Sequence, residues 1–180
     1  MKVAFDLGAC QGSKSTQDLA KKYDIVYAVE PIIENYRILV KTIINKGLDN
    51  VVPIFATIDS STRVDNIYVD PSTVVGHSLY KKSRFVNNMP PTRPVLVLSW
   101  NNLVDFLDVK HVDFAWVDIE GAEESLLKGM TKVFPKKMYI ESHQDKGVAD
   151  NDKITTLLVS KGYGATDQRT HRAFVVERIN

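Results

Sequence analysis

Short apolar runs alternate with longer amphipathic stretches along the chain, at spacings typical of strands and helices. The first apolar run, from Val3 to Leu7, is followed by helical spacing from Ser13 to Lys22. A second buried strand over Ile25 to Val29 precedes a helical pattern from Ile32 to Asn45. Because strand and helix alternate, we expect parallel strand pairing in an α/β fold.

The remainder of the chain continues this alternation with one interruption. Polar residues and several prolines between Asp59 and Pro94 predict an inserted excursion that contains a hairpin or a flexible loop. Further strands are predicted at Val51 to Thr57, Val95 to Leu98, Val112 to Val117, Met138 to Ser142 and Ala173 to Arg178, and further helices at Asn101 to Leu107, from about Glu123 to Met130, and at Asp152 to Lys161. Together these elements predict one domain over residues 1–180.

Charge and composition narrow the class of protein. The chain has 23 Lys and Arg against 22 Asp and Glu, a net charge of +1, so no global field directs it to nucleic acid or an anionic membrane. It shows no secretory signal and no run of about 20 apolar residues that would span a bilayer. The single cysteine, Cys10, excludes an intrachain disulfide and suits a reducing compartment. We therefore expect a cytoplasmic protein without membrane association.

The loop after the first strand carries the pattern Asp6-x-Gly8-x-x-x-Gly12. Glycines permit close approach of backbone to a ligand, and a strand, a glycine loop and a helix start together are typical of nucleotide sites. The acid two places before Gly8 would repel a pyrophosphate but attract a cationic ligand. S-adenosylmethionine carries a sulfonium and an ammonium, so it suits this loop. The alternative is a tight strand-to-helix turn that binds nothing.

Glu30 ends the second strand, about twenty residues beyond the loop. An acid at this point of a Rossmann-like fold accepts hydrogen bonds from ribose hydroxyls, and Pro31 stiffens the turn that directs it. The alternative is an acid that favours the positive end of the following helix. The combination of Glu30 with the glycine loop favours the ribose role.

A third group of acids, Asp118-x-Glu120-Gly121-x-Glu123, follows the strand ending at Val117. Ligands of open α/β sheets bind at this edge, and we expect Glu120 and Glu123 to share one helical face. Three carboxylates there could accept a proton, hold a substrate or bind a hard cation. The alternative is an acidic first helical turn, but Asp118 is harder to explain in that way.

Glu141 and His143 follow the next strand and lie on one side of it by alternation. A histidine beside a carboxylate is a candidate general base, although solvent-facing histidines are common at strand ends. His77, in the excursion, could touch a substrate, whereas His111 precedes a strand and is interpreted as structural. Cys10 is interpreted as a small residue of the glycine loop.

With these residues in view, the chain resembles the FkbM family of S-adenosylmethionine-dependent methyltransferases. The resemblance covers most of the domain, and the run Asp118 to Glu123 followed by Leu127-Lys128-Gly129 is its most particular part. The other matching pieces are Phe5-Asp6-Leu7-Gly8-Ala9-Cys10-Gln11-Gly12, Ala28-Val29-Glu30-Pro31, Trp116-Val117, and Tyr139-Ile140-Glu141-Ser142-His143. The resemblance implies a Rossmann-like sheet, mostly parallel, with helices on both faces and an antiparallel last strand.

The resemblance also implies roles for individual residues. Glu30 would hold the ribose, and Asp118 would lie near the transferred methyl group. The methionine part of the cofactor would be surrounded by Asp6, Gly8, Ala9 and Gly12, with Ala56 and Thr57 near the adenine and Cys10 and Pro31 within the same cofactor site. Asn101 stands near the place where the family often has an acid, a departure that weakens the assignment of a base or metal ligand.

The resemblance implies O-methylation of a hydroxyl on a small molecule or sugar. Asp118 or His143 would accept the proton, with Glu120 and Glu141 positioning the base or the substrate. No metal is assigned. Either the excursion or a second subunit of a homo-oligomer would cover the site. The alternatives are a module that binds the cofactor without turnover, and a nucleic-acid methyltransferase that uses Lys81, Lys82, Arg84 and Arg93; the small net charge disfavours the latter.

Overall fold

The computed structural model describes residues 1–80, 91–142, 151–170 and 173–179. In chain order the elements are β1 (Val3–Leu7), α1 (Lys14–Ala20), β2 (Ile25–Val29), α2 (Ile33–Lys46), β3 (Val51–Ile54), β4 (Thr57–Asp59), β5 (Arg63–Tyr68), β6 (Thr92–Ser99), α3 (Trp100–Phe106), β7 (Phe114–Val117), α4 (Glu123–Gly129), β8 (Lys137–Glu141), α5 (Asn151–Ser160), β9 (Tyr163–Thr170) and β10 (Ala173–Arg178).

Seven strands form the central sheet, in the order β3-β2-β1-β7-β8-β10-β9. β1 pairs in parallel with β2 and β7, and the parallel set continues through β3 and β8. β10 runs antiparallel to both β8 and β9. The expected Rossmann-like sheet with a reversed last strand is therefore confirmed. The order changes direction next to β1, which is where such sheets bind ligands.

Helices cover both faces of this sheet. Successive residues of a strand point to opposite faces, so each strand can contribute side chains to both helical layers. Phe5 of β1 belongs to a large apolar cluster with Trp100 of α3 and Leu126 of α4. Its neighbour Ala4 belongs to the cluster on the other face, together with Leu39 of α2. The continuous apolar sequence of β1 thus reflects burial on two sides rather than one.

A smaller sheet, in the order β4-β6-β5, was only partly predicted. The strand predicted over Val51 to Thr57 is divided, because β3 ends at Ile54 and the chain re-enters a strand at Thr57 in the second sheet. β5 pairs antiparallel with β6, as expected for a hairpin in the excursion. β6 begins at Thr92, so it is longer than the predicted strand from Val95 to Leu98.

The second sheet is held against the central one by α4. A Cβ on Gly129 would lie 2.6 Å from Cα of Ser60, the residue after β4, so only glycine permits this approach. Asn101 donates from Nδ2 to the Gly129 carbonyl at 3.1 Å and to Oγ1 of Thr131 at 2.8 Å. Asn101 therefore fixes the end of α4, which gives it a structural role in place of the acid that the family often has nearby.

The last part of the chain contains a strand that the sequence did not indicate. β9 spans Tyr163–Thr170 between the predicted helix and the predicted closing strand. Its sequence is largely polar, without the apolar alternation that marks a strand. It is an edge strand, and its backbone pairs antiparallel with β10. This strand therefore forms through backbone pairing and not through an apolar sequence pattern.

Candidate functional site

A cavity of about 80 Å³ lies at the carboxyl ends of the central parallel strands. Its wall combines residues after β1, β2 and β7 with residues from β4 and from the segment that follows β5. The residues from the central sheet and α2 are Gly8, Cys10, Val29, Glu30, Pro31, Ile32, Asn35, Asp118, Ile119 and Glu120, and the others are Ala56, Thr57, Ile58, Ile67, Val74, Val75, Gly76, His77, Ser78 and Leu79.

The loop over residues 8–13, named here the cofactor loop, is held by backbone contacts. The N–H groups of Gly8 and Ala9 both donate to the carbonyl of Val29 at 3.0 Å. Gly8 has φ 93°, and a Cβ there would lie 1.9 Å from the carbonyl oxygen of Asp118. Only glycine fits at this position, because the ends of β1 and β7 approach each other closely and because the φ angle lies in the left-handed region.

Glu30 lies in the cavity wall and is only 4% exposed. Its Oε2 accepts from the backbone N–H of Cys10 at 2.9 Å, and its Oε1 accepts from that of Ile32 at 2.8 Å. Burial raises the pKa of this carboxyl to about 7, although the two backbone donors oppose the shift. The side chain of Asn35 is a third hydrogen-bond partner of this carboxyl, and a carboxylate has about four lone-pair sites, so it can still accept from a ligand hydroxyl.

Asp6 lies beneath the cofactor loop, fully buried, and it does not line the cavity. Its Oδ2 accepts from the hydroxyl of Thr16 at 2.6 Å and from that of Ser15 at 3.1 Å. Burial raises the pKa of this carboxyl to about 6. In this structure Asp6 ties the loop to the start of α1, and direct contact with a cofactor stays a prediction.

Asp118 and Glu120 line the cavity at the end of β7. Glu120 has φ 54° and precedes α4, which begins at Glu123. The expectation that Glu120 and Glu123 share a helical face is therefore wrong. Glu123 is fully buried and accepts from the N–H of Gly121 at 3.0 Å, so it shapes the turn and does not line the cavity.

The segment over residues 69–79, named here the covering loop, closes one side of the cavity. It returns to β5 through paired hydrogen bonds between Tyr68 and Ser78. Nδ2 of Asn35, in α2, donates to the carbonyl of Val74 at 2.8 Å. The hydroxyl of Ser78 donates to the carbonyl of Glu120 at 2.6 Å. The covering loop is thus attached to the central domain on both sides of the cavity.

The predicted site residues that the structure describes divide into two groups. Eight of them line the cavity: Gly8, Cys10, Glu30, Pro31, Ala56, Thr57, Asp118 and Glu120. Four do not, namely Asp6, Ala9, Gly12 and Glu141. His143, with Lys81, Lys82 and Arg84 of the alternative nucleic-acid site, lies outside the described residues.

Two contributors to the site, Asn35 and Ser78, were not singled out from the sequence. Both are buried polar residues whose partners lie about 40 positions away, Val74 for Asn35 and Glu120 for Ser78. Nothing in their local sequence signals these contacts. His77, which was considered as a substrate contact, does line the cavity.

A cysteine nucleophile and a metal site have less support among the described residues. Burial and the nearby Glu30 carboxyl raise the pKa of the Cys10 thiol, which disfavours a thiolate nucleophile. Within the described parts of the chain, no three His, Cys, Asp or Glu residues are grouped as a metal site requires. No helix in those parts has the length and apolar character to cross a bilayer.

The site has the features that a nucleoside cofactor with a cationic methionine end requires. Glu30 is a buried acceptor aimed from the end of β2, and Asp118 and Glu120 place acidic groups across the same cavity. Apolar residues such as Ile58 and Ile119 complete the wall and suit a flat ring. Glu30, Gly8 and Cys10 would hold the cofactor.

Solved structures with the same architecture are methyltransferases. The yhhF protein of Escherichia coli, described as a methyltransferase, is 11% identical with a TM-score of 0.56, covering 98% of this chain and 76% of that one. An rRNA methylase of Streptococcus thermophilus is 13% identical with a TM-score of 0.54, covering 99% and 87%. A ribosomal protein L11 methylase of Lactobacillus delbrueckii subsp. bulgaricus is 11% identical with a TM-score of 0.53, covering 99% and 70%.

The fold is therefore the Rossmann-like one that these methyltransferases have. The sequence comparison makes this specific, because the methyltransferase FkbM domain matches residues 6–164. The chain belongs to the FkbM methyltransferase family, as its motifs predict, and its cofactor is S-adenosylmethionine. It matches no curated protein in sequence.

Proposed function

We propose that the chain transfers a methyl group to a hydroxyl oxygen of a small molecule or sugar. The observation that carries this proposal is the convergence of Glu30, Asp118 and Glu120 on one cavity beneath the covering loop. A cavity walled in this way favours an acceptor that can be enclosed, since methyl transfer benefits from exclusion of water. The net charge of +1 gives no support to a polyanionic acceptor.

The chain's residues would act mainly by orientation and by removing a proton. S-adenosylmethionine supplies a methyl group already activated by a sulfonium. Asp118 would accept the hydroxyl proton of the acceptor, and Glu120 would position the acceptor beside it. His143 is the alternative proton acceptor, and Glu141 would assist it. Holding the oxygen in line with the methyl carbon would supply the larger part of the rate enhancement.

The covering loop would act as the substrate lid that the excursion was expected to supply. Ligand cavities usually measure about 300–1,000 Å³, whereas this cavity measures about 80 Å³. A cofactor of nucleoside size therefore requires the covering loop to move outward. The two hydrogen bonds from Asn35 and Ser78 would have to break and reform around the ligands.

A binding and turnover experiment tests the proposal. Calorimetry with S-adenosylmethionine against NAD should show binding of the first only, and mass spectrometry should then detect methylation within a panel of sugars, phenols and short RNAs. We expect Asp118→Asn to lower kcat about 10² to 10⁴-fold, the range of general base catalysis. Glu124→Gln is the control, because Glu124 pairs with Lys128 on α4 and does not line the cavity.

The outcomes separate the candidate functions. Methylation of RNA alone would replace the small-molecule acceptor by nucleic acid. Cofactor binding without turnover on any probe would indicate a binding module. Unchanged turnover in both Asp118→Asn and His143→Ala would show that neither residue is the proton acceptor.

A further inference from the structure

The side-chain amide of Asn35, in α2, contacts three separate parts of the site, although it is only 3% exposed. Its Nδ2 donates to the carbonyl of Val74, in the covering loop, at 2.8 Å. Its Oδ1 accepts from Nε2 of Gln11, in the cofactor loop, at 3.0 Å. Its third partner is the carboxyl of Glu30. One buried amide therefore joins both loops to the acid that would hold the cofactor.

The contact with Gln11 decides which way this amide points. Because Gln11 donates to Oδ1, the amide oxygen is turned towards the cofactor loop. A carboxylate can only accept, so the Asn35 amide donates to Glu30 with an N–H of Nδ2. The amide carries two such N–H groups, and they are used on the covering loop and on Glu30.

The Val74 carbonyl is held by two residues that both contact Glu30. The Val74 side chain is 55% exposed, so this part of the covering loop is attached by its backbone carbonyl. The Cys10 thiol also donates to this carbonyl at 3.7 Å, and the Cys10 N–H donates to Glu30 at 2.9 Å. A thiol is a weak donor, so Asn35 makes the stronger of the two contacts.

We propose that Asn35 is a positioning residue that couples occupation of the cofactor site to closure of the covering loop. A ligand hydroxyl that donates to Glu30 favours the ionised carboxylate. The ionised carboxylate is in turn the stronger acceptor for the Asn35 amide. An amide fixed in this way keeps its other N–H on the Val74 carbonyl, so the covering loop closes over the bound cofactor and excludes water.

The environment of Glu30 supports this coupling. Burial raises the pKa of Glu30 to about 7, so near neutral pH part of the chain without cofactor carries a protonated Glu30 that a ligand hydroxyl can shift to the ionised form. The variants described below leave the other titratable groups around Glu30 unchanged, namely Asp6 beneath the cofactor loop and Cys10, His77, Asp118 and Glu120 in the cavity wall. The inference concerns the cofactor alone and needs no methyl acceptor.

Hydrogen–deuterium exchange of residues 69–79 in the full chain, with and without saturating S-adenosylmethionine, tests the coupling. In the wild type the cofactor should slow exchange of the covering loop about five to tenfold. Asn35→Leu keeps the approximate size of the side chain but none of its hydrogen bonds. Its covering loop should exchange about fivefold faster without cofactor, and the cofactor should slow it by no more than about twofold.

Ser78→Ala is the matched control, because it releases the covering loop from the Glu120 carbonyl and leaves the contacts of Asn35 in place. Its covering loop should also exchange faster without cofactor, but S-adenosylmethionine should still slow exchange about five to tenfold. Coupling is reciprocal, so Asn35→Leu should also bind S-adenosylmethionine about tenfold more weakly in calorimetry.

Gln11→Ala gives a second test at a less buried position. It removes the donor that orients the Asn35 amide, so slowing by the cofactor should fall to about two to threefold. Gln17→Ala is its control, because Gln17 donates to the Gly12 carbonyl of the same cofactor loop at 2.8 Å. Slowing in this control should equal that of the wild type.

The outcomes decide the role of Asn35. Full slowing by the cofactor in both Asn35→Leu and Gln11→Ala would overturn the proposal, and Gln11→Ala decides alone if Asn35→Leu does not fold. Loss of slowing in Ser78→Ala would overturn it as well, because any loosened attachment would then have the same effect. A chain that shows the coupling but methylates no probe would contradict the proposed function only.

Discussion

The cofactor loop and the covering loop border the same cavity but are held in different ways. The cofactor loop is held by its backbone, through Gly8 and Ala9 on the Val29 carbonyl. The covering loop is held to the central domain by side-chain hydrogen bonds, among them those of Asn35, Ser78 and the Cys10 thiol. Backbone contacts made at a glycine leave little room for movement, whereas side-chain hydrogen bonds can break at modest cost. One side of the site is therefore rigid and the other can open.

The largest expected effect tests the rigid side. Gly8→Ala would place a Cβ 1.9 Å from the Asp118 carbonyl oxygen at a φ of 93°. We expect the free energy of unfolding to fall by about 3 to 5 kcal/mol, from steric overlap added to backbone strain. Urea unfolding measures this loss, and the fraction of soluble protein reports it if the variant does not fold.

Gly47→Ala is the matched control for this prediction. Gly47 also has a positive φ, 60°, at the end of α2, but nothing lies within 4 Å of the position of its Cβ. Its replacement should cost about 1 kcal/mol, the ordinary penalty for losing glycine at such a position. Equal losses in the two variants would show that the close approach to Asp118 is unimportant.

The next effect concerns Glu30, the acid of the rigid side. Glu30→Ala should weaken S-adenosylmethionine binding about 10 to 100-fold, because a charged acceptor for a ligand hydroxyl is removed. Glu34→Gln is the control, since Glu34 is exposed and paired with Arg93. Burial raises the pKa of Glu30 to about 7, so wild-type affinity should also weaken several-fold as the pH falls from 8 to 6. Calorimetry that finds full affinity in Glu30→Ala would exclude the ribose role.

A smaller effect concerns the dependence of stability on pH. Burial raises the pKa of Asp6 from 3.8 to about 6 and that of Glu30 from 4.5 to about 7. Between about pH 4 and pH 7 the folded chain then binds more protons than the unfolded chain, so the free energy of unfolding falls as the pH rises. Each group should contribute on the order of 2 to 3 kcal/mol to this fall.

Asp6→Asn isolates one of the two groups. A carboxamide can accept from Thr16 and donate to Ser15, so the variant should be about 1 to 2 kcal/mol more stable than the wild type at pH 8 and show a shallower slope below it. Asp18→Asn is the control, because hydrogen bonding with Lys21 lowers the pKa of this exposed carboxyl and places its titration below the window. Urea unfolding at pH 5 and pH 8 measures the slope, and an unchanged slope in Asp6→Asn would contradict the assignment.

The smallest effect tests the mobile side. Ser78→Ala removes the hydrogen bond to the Glu120 carbonyl, and we expect S-adenosylmethionine to dissociate about five to tenfold faster with little change in stability. Ser72→Ala is the control, because the Ser72 hydroxyl bonds to Asp70 within the covering loop itself. Stopped-flow binding measures both rates. Equal rates in Ser78→Ala and the wild type would show that this contact does not hold the covering loop closed.

The central sheet could be predicted from sequence because its signals are local. The apolar run at β1 and the helical spacing of α1 follow from burial and period alone. The division of the predicted strand at Phe55 and Ala56 could not be predicted, because both halves look like one apolar run and only the second sheet explains the break. β9 was missed because its polar sequence pairs through backbone.

The site residues likewise include some that the sequence predicted correctly and some that it did not. Gly8 and Glu30 carried a recognisable spacing, and both line the cavity. Asp6 shared that spacing but faces α1, because the strand alternation that buries it also turns it away from the ligand edge. Glu120 and Glu123 do not share a helical face, because Glu120 has a positive φ in the turn before α4, which begins at Glu123.

The sequence by itself determined the family, the cofactor and the main elements, since these depend on residues close together in the chain. The tertiary structure decided which acids reach the cavity and how the covering loop is attached. These depend on contacts such as Asn35 with Val74 and Ser78 with Glu120, between residues about 40 positions apart. Such contacts form only when folding brings distant backbone and side chains to one place, and no local pattern records them.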